Sequence, residues 1–382
     1  MYGQWVGTYS VTKYPAGVSG PGEGHIVLDI DEKRDCYEGV AHLNYGVPNY
    51  PFPPMDIWFR SADKKPTTDF VSTDIAFFDN GKLVPWDAIK EKYPGVTQPK
   101  LANGNLKLTP NGLEISWTSD IGTEGKATLP NPDVEKPSEL PSQVMTWNEF
   151  KDFVNRFEGR GRLFRGQNCA WRLRTSFHRM GRYNLLRYGL EDLQALHRVL
   201  SARTKHFFNL NNNQELWAFL NLAQHHGYPT PLLDWSYSPY VAAFFSFRGV
   251  DGKNIVNSDN KVRIFIFDHE RWRSAFPQIE VFAARFPHVS LVDTVALENE
   301  RYVPQQSASV HTTVDDIEKY MALKSAEANQ PPYLTAIDLS WSERETVLRD
   351  LQYMGITAGS MFPGLDGACE ELKERNFLIL QS

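Results

Sequence analysis

AQHHGYPTPLLDWSYSPYVAAFF, residues 223–245, is the stretch that decides the fold of the second half of this chain. It begins at the end of an apolar helix that stops at Gly227, and it continues into a short strand, TPLLDWS. A buried helix follows, with Pro239 in its first turn and Ser238 just before it, where a hydroxyl usually caps a helix. Helices and a short strand within so short a range indicate a mixed α+β domain.

The segments around this stretch repeat the same mixture of helices and strands. Upstream, MTWNEFKDFVNRF predicts a helix opened by a capping box of Thr146 and Glu149, and RLFRG predicts a strand that ends near Arg165. Downstream, VRIFIFD predicts a buried strand. Two more helices are predicted from apolar spacing and end signals, one through Leu193, Leu196, Leu200 and Phe207, and one with a capping box of Ser342 and Glu345 that stops at Gly355.

The first part of the chain has a different pattern. HIVLDI alternates with Ile26, Leu28 and Ile30 on one face, and NLKLTP and LEISWTS flank Asn111-Gly112, a strong hairpin signal. Residues 1–127 are therefore predicted to form an all-β accessory domain, an antiparallel barrel or sandwich. Residues 128–143 hold four prolines and are predicted to be a linker, which leaves 144–382 for the second domain.

The amino-acid composition is typical of a folded globular protein. The 382 residues are 41% apolar and 13% aromatic, which is enough for packed cores, and this length predicts two domains. The three cysteines, Cys36, Cys169 and Cys369, are scattered and form no CxxC pair, which argues against a disulfide framework or a zinc site. The sequence contains neither a long apolar run nor a secretory leader, so we expect a cytoplasmic protein with no membrane partner.

Charge is distributed unevenly along the chain. Residues 1–140 hold 13 basic and 19 acidic side chains, whereas residues 151–210 hold 13 basic and 4 acidic ones. Most of the basic residues in 151–210 are arginines, which suit bidentate contacts with phosphate or carboxylate groups. Two interpretations stay open at this point: a solvated basic face, or a site at which some of the arginines bind an anionic ligand.

Four segments occur in an order that resembles the FRG domain, a family named for its (Phe/Tyr)-Arg-Gly motif. They are FRGQ at 164–167, the stretch 223–245, NERYVPQQ at 299–306 and GITAGSMFPGLDG at 355–367. The resemblance spans roughly residues 145–370 and leaves out the N-terminal β part. The chain departs from the family where Ser307-Ala308-Ser309-Val310 replaces the usual Gly-x-Phe.

The motif order in turn resembles that of ADP-ribosyltransferases of the Arg–Ser–Glu type. The resemblance implies an ADP-ribosyltransferase-like domain in which Arg165 is the arginine and Ser236 or Ser238 the serine. The third catalytic position then falls to Glu300, Gln305 or Gln306, and the residues alone do not decide among the three. The implied substrate is NAD, whose nicotinamide–ribose bond breaks through an oxocarbenium-like state that a carboxylate stabilises better than an amide does.

The same resemblance suggests further contacts to NAD, from Arg165, Gly166, Gln167, Asp234, Trp235 and Ser238. Asp234 can alternatively be interpreted as a buried partner of Arg165. Trp171 or Trp235 can be interpreted as a ring that stacks on a base. A metal site is not expected, because adjacent histidines such as His225 and His226 point in different directions and no third ligand has diagnostic spacing.

We therefore expect an NAD-dependent mono-ADP-ribosyltransferase-like effector of the toxin or antiphage type. Its acceptor would be a protein or a nucleic acid, and an antitoxin or chaperone partner is possible. The alternative is a non-catalytic module that binds nucleotides or nucleic acid through the arginine-rich residues 151–210. Release of nicotinamide from NAD distinguishes the two functions.

Overall fold

Alternating apolar side chains build the N-terminal strands. In the strand Glu23–Glu32, Ile26, Leu28 and Ile30 are buried in one core, as their period of two predicts. The structure is a computed structural model that describes residues 1–15, 22–43, 52–79, 82–250 and 260–378. The strands of this first part are β1 Gly3–Lys13, β2 Glu23–Glu32, β3 Tyr37–Leu43, β4 Met55–Ser61, β5 Thr67–Asp79, β6 Lys82–Val84, β7 Ala102–Thr109, β8 Gly112–Ser119 and β9 Glu124–Pro130.

Eight of these strands close into an antiparallel barrel. The order of neighbours is β4-β3-β2-β1-β9-β8-β7-β5, and pairing of β4 with β5 completes the ring. The predicted hairpin joins β7 and β8, but Thr109 pairs with Gly112, so Pro110 and Asn111 form the turn, one residue earlier than predicted. Gly112 instead begins β8, and a glycine is needed there because a Cβ atom would lie 3.0 Å from the carbonyl carbon of Leu129 on β9.

The segment between the two domains is shorter than predicted and is held in place. β9 extends to Pro130, and the next strand begins at Ser142, so 131–141 is the part outside regular structure. The carbonyl oxygens of Ser138 and Leu140 accept hydrogen bonds from Arg263, at 3.4 and 3.2 Å. The segment therefore lies against the second domain.

A buried carboxylate of the barrel, Asp56, joins the two domains. Its side chain accepts a hydrogen bond from Nε of Arg285 at 2.6 Å and lies 2.6 Å from Nδ1 of His42. Burial alone would lower the pKa of His42, but Asp56 and Asp29 raise it to about 9. Two cationic groups, His42 of the barrel and Arg285 of the second domain, therefore share the carboxylate of Asp56.

Two other barrel residues make similar contacts. Asp31 accepts hydrogen bonds from the backbone N–H of Tyr183 at 2.7 Å and from Nε of Arg182 at 3.0 Å. Gln4 accepts one from the backbone N–H of Asp315 at 3.0 Å. These buried bonds fix the position of the barrel on the second domain.

The second domain is built on a seven-stranded sheet. The order is β10-β16-β13-β11-β12-β15-β14, and β10 and β16 are its one parallel pair within the described residues. The confirmed fold class is thus α+β, with a closed β barrel followed by a mixed domain. The strands are β10 Ser142–Met145, β11 Arg162–Gln167, β12 Leu232–Ser236, β13 Lys261–Asp268, β14 Val289–Val292, β15 Ser307–Thr312 and β16 Leu334–Ser340.

Helices pack on both faces of this sheet, and no helix in the described part of the chain has the length and apolar character needed to cross a membrane. Short 3₁₀ or π segments occupy 90–92, 188–192, 341–343 and 374–378. The α-helices are α1 Trp86–Ile89, α2 Trp147–Val154, α3 Ser176–Arg179, α4 Leu185–Arg187, α5 Leu193–Leu200, α6 Asn213–His225, α7 Pro239–Arg248, α8 His269–Ala275, α9 Ile317–Glu327, α10 Arg344–Tyr353, α11 Ala358–Met361 and α12 Leu365–Lys373.

Local signals predicted five of these helices, α2, α5, α6, α7 and α10, with two errors at their ends. The capping box of α2 is formed, and α6 ends just before Gly227, as predicted. However, α5 ends at Leu200, and Phe207 lies beyond it and is exposed. The predicted capping box of Ser342 is absent, because Ser342 lies inside the 3₁₀ turn that precedes α10.

Candidate functional site

A cleft of about 540 Å³ lies between β11 and β12. Within the described residues these strands pair only at Phe164 and Ser236, so the sheet is split beyond this point. Further walls of the cleft come from the end of α6, from α7, from the loop before β15 and from Phe362. A split of this kind leaves polar backbone groups and strand-end side chains accessible to a ligand.

Arg165 spans the split. Its side chain is partly buried, and its Nη1 donates a 2.5 Å hydrogen bond to the main-chain oxygen of Asp234 on β12. Burial, together with the charge of Arg179 and against the opposing charge of Asp234, lowers the pKa of Arg165 to about 10, so the guanidinium is protonated at neutral pH. Its Nε is buried and has no hydrogen-bond partner within the described residues. Arg165 thus holds the two strands together and keeps an unused donor.

Gly166 lines the cleft and also allows α7 to pack closely on β11. A Cβ atom at this position would overlap the carbonyl oxygen of Ala242 on α7 and would lie 2.9 Å from Cβ of Ser246. A side chain would therefore push α7 away from β11. The glycine of the Arg-Gly pair is required because the helix crosses the strand here.

Ser236 and Ser238 connect β12 to its surroundings. The hydroxyl of Ser236 donates to the main-chain oxygen of Gln305 at 2.7 Å and accepts from the N–H of Ser238 at 3.0 Å. The hydroxyl of Ser238 caps α7 by accepting from the N–H of Val241, at 3.2 Å. Ser236 lines the cleft and positions the loop before β15, whereas Ser238 is an N-cap that does not line the cleft.

The three candidates for the third position lie in different environments. Gln305 is buried, lines the cleft and donates from Nε2 to the main-chain oxygen of Met361 at 2.9 Å. Gln306 has a φ of +46° and is exposed, and its carbonyl accepts a hydrogen bond from the N–H of Tyr237. Glu300 is exposed as well, and neither Glu300 nor Gln306 lines the cleft. Gln305 is therefore the candidate that the loop brings to Arg165 and Ser236.

Two arginines that the sequence analysis did not single out also line the cleft. Arg179, at the end of α3, makes no ion pair and no side-chain hydrogen bond in the described part of the chain. Arg301 donates to the main-chain oxygen of His225 at 2.9 Å, and its guanidinium lies 5.2 Å from the ring centre of Phe362. The lining thus contains three arginines and a single carboxylate, that of Asp234. The high net charge of residues 151–210 was the one sequence signal that pointed to Arg179.

Four buried side-chain atoms of this cleft are unpaired within the described residues. Oε1 of Gln167, Oδ1 of Asp234 and Nε1 of Trp235 are buried without a hydrogen-bond partner in the described residues, as is Nε of Arg165. Buried polar groups are normally paired, and several orphans in one concavity are typical of a ligand site. The predicted interaction between Arg165 and Asp234 exists, but the hydrogen bond is made to the main-chain oxygen, not to the carboxylate.

The aromatic candidates differ in exposure. Trp171 is 58% exposed and lines the cleft, so its ring is accessible to a base. Trp235 is buried in the core, with its ring centre 5.6 Å from that of Phe267. The ring faces of Trp235 are packed against the core, so its indole N–H is the group that a ligand can contact.

The two histidines behave differently, as their positions at a helix end suggested. His226 is exposed, whereas His225 lines the cleft and its Nδ1 lies 2.7 Å from Nδ2 and 2.9 Å from Oδ1 of the Asn299 side chain, within hydrogen-bonding distance. Asn299 also donates to Oδ1 of the buried Asn221. His225 therefore anchors the loop that carries Arg301 and Gln305. No group of three or more His, Cys, Asp or Glu side chains in the described ranges is arranged to hold a metal ion.

Comparison with known proteins gives one family. Comparison with curated proteins and with solved structures found no match. The family model of the FRG domain matches residues 160–254, a range that includes β11, β12 and α7 and ends before the loop that carries Gln305. Arg165, Gly166 and Ser236 thus lie in the matched range, and the predicted family is confirmed there. Over residues 160–254 this chain is therefore similar to the FRG domain family.

Proposed function

We propose that the cleft binds NAD and that the protein transfers ADP-ribose from it to a protein or nucleic-acid acceptor. The observation that carries the proposal is one cleft in which three arginines have no carboxylate partner, and four buried polar atoms no hydrogen-bond partner, among the described residues. Such a lining favours a ligand with phosphate groups. Residues 151–210 contain other arginines as well, but five of them form ion pairs: Arg162, Arg172, Arg174, Arg182 and Arg187.

The pyrophosphate of NAD would lie near Arg165 and Arg179. The two guanidinium groups are close enough for the charge of Arg179 to lower the pKa of Arg165. Like charges held together in this way are relieved when an anion binds between them. Arg165 offers its Nε, and Arg179 offers a guanidinium with no competing partner among the described residues.

The remaining parts of NAD find partners of suitable chemistry. The exposed ring of Trp171 offers a stacking surface for a base, and Gln305 and Gln167 offer amide groups for ribose hydroxyls. Ser236 donates to the main-chain oxygen of Gln305 and so holds this residue in place. We propose an effector role in bacterial conflict, as the resemblance suggests.

A second candidate function is nucleotide binding without turnover. One observation favours it: Glu300, the only carboxylate among the three candidates for the third position, does not line the cleft. Both functions require NAD or a related nucleotide to bind in the same place. They differ in whether nicotinamide is released.

The test measures both properties on the purified full-length chain. NAD binding is followed by calorimetry, and nicotinamide release by chromatography. Arg165→Ala should abolish nicotinamide release. Because Arg165 also joins two strands, its loss affects the fold as well as binding, and Arg179→Ala is the more specific test. We expect it to weaken NAD binding about 10- to 100-fold, the usual effect of losing a charge-assisted hydrogen bond, with an unchanged unfolding midpoint.

The matched control is Arg203→Ala, which removes an exposed arginine of the same stretch that does not line the cleft. It should bind NAD as the wild type does. Equal affinity of the Arg179 and Arg203 variants, or no NAD binding by the wild type, would refute the proposal. Binding without nicotinamide release would favour the second candidate.

A further inference from the structure

The proposed reaction needs a negative charge close to the ribose, and the expected source does not reach the cleft. Glu300 is exposed outside it, and the amide of Gln305 carries no net charge and donates to the oxygen of Met361. A neutral amide orients a sugar but adds little stabilisation as positive charge develops. The charge must therefore come from elsewhere in the lining.

Asp234 is the single carboxylate among the described residues of that lining. It lies on β12 two positions before Ser236, so both side chains leave the same face of the strand. Pairing with Ser309 on β15 and the hydrogen bond from Arg165 to its main-chain oxygen fix its backbone. Its Oδ1 is buried and accepts no hydrogen bond from the described residues.

Such an arrangement is costly unless a ligand uses it. An unpaired carboxylate oxygen in a buried position is unfavourable, and it also repels the phosphates that the arginines attract. A group that acquires positive charge during the reaction would satisfy this oxygen. The ribosyl ring of NAD is such a group, because the charge appears there as nicotinamide leaves.

We propose that the carboxylate of Asp234 stabilises the ribosyl cation and accepts the proton of the incoming nucleophile; this role depends on the proposed function above. The bond between C1′ and the pyridinium nitrogen breaks, and its electron pair stays on the nitrogen, so neutral nicotinamide leaves. A new bond then forms between C1′ and the acceptor atom, or the oxygen of water. The proton of that atom passes to Asp234 and then to solvent.

The experiment compares Asp234→Asn with Glu300→Gln on the full-length protein. Asparagine keeps the size of the side chain and the main-chain oxygen that Arg165 uses, and it removes the charge by replacing one carboxylate oxygen with an NH2 group. We expect Asp234→Asn to lower kcat for nicotinamide release about 100-fold, without a rise in KM for NAD. Glu300→Gln should stay within about twofold of the wild type, because its side chain does not line the cleft.

A purely structural role for Asp234 would raise KM or lower the unfolding midpoint instead. Asp234→Glu, which retains the charge, should recover part of the lost kcat, and it serves as the second variant if the asparagine variant folds poorly. If Asp234→Asn releases nicotinamide at the wild-type rate, the role of Asp234 is overturned, but the proposed function stands. No release by the wild type would overturn the proposed function and this role with it.

Discussion

Gly166→Ala should destabilise the protein strongly, although it adds only one methyl group. The new Cβ atom would lie 2.8 Å from the carbonyl carbon of Ala242, whereas non-bonded carbon atoms normally stay about 3.5 Å or more apart. Both obstructing atoms of Ala242 are main-chain atoms, so α7 must retreat as a body by roughly 0.7 Å or more. That movement would open gaps around Phe244 and Phe247, which are buried in the core below.

Overpacking of a dense core typically costs about 1–3 kcal/mol. We expect the upper end of this range, because a helix and not a flexible side chain has to move. α7 also supplies Ala242 and Phe245 to the cleft, so NAD affinity should fall in parallel. The free energy of unfolding would be compared by urea denaturation followed by circular dichroism.

Gly249→Ala is the matched control. A Cβ atom there would meet only the side chain of Asn168, with its nearest atom at 3.3 Å. A side chain can turn aside, and Gly249 has a φ of −78°, which alanine adopts freely. If Gly166→Ala unfolds at the same urea concentration as Gly249→Ala, the close crossing of α7 and β11 does not matter to stability.

Two further predictions concern charge and burial away from the cleft. Burial lowers the pKa of His178 to about 3 and that of His288 to about 4, and it also lowers the pKa of His311. The unfolded chain binds a proton at each near pH 6.5, so native stability falls as the pH drops below that value, by roughly 2 kcal/mol at pH 5 for each of His178 and His288. His42, whose pKa is raised to about 9, and Asp315, whose pKa burial raises to about 6, stabilise the native state as the pH falls but offset only part of this loss, so we expect a lower thermal midpoint at pH 5 than at pH 7.5. Arg285→Ala removes the guanidinium that pairs with the buried carboxylate of Asp56 in the barrel. This substitution should lower the free energy of unfolding, measured in urea, by about 3 kcal/mol.

Each of these two predictions has a simple check. Lys107→Ala removes an exposed ion pair with Glu114 and should cost less than about 1 kcal/mol. Similar unfolding of the Arg285 and Lys107 variants would contradict the role given to the interface. A midpoint at pH 5 that equals or exceeds the midpoint at pH 7.5 would contradict the argument from the buried histidines.

The sequence predicted the features of the fold that depend on nearby residues. The alternation of Ile26, Leu28 and Ile30 and the capping box of Thr146 involve residues at most four positions apart, and both are present in the structure. The extension of α5 to Phe207 failed because apolar spacing does not reveal where a chain leaves the helix. Whether β strands close into a barrel or form a sandwich also depends on pairing between distant segments, such as β4 with β5.

The site was less predictable for the same reason. Whether an arginine is free depends on partners far along the chain: Arg172 pairs with Asp316, 144 positions away, while Arg179 finds no partner within the described residues. The choice between Gln305 and Gln306 depends on the hydrogen bond from Ser236 and on the left-handed backbone of Gln306. Neither feature leaves a local pattern in the sequence.

The way in which the barrel is attached limits how this protein can be rebuilt. A foreign barrel fused N-terminally to residue 142 would lack Asp31 and Asp56, and Arg182 and Arg285 would lose these carboxylates. A chimera would therefore have to exchange both sides of the contact together. In protein engineering the barrel and the second domain have to be transferred together, although they are separate domains along the sequence.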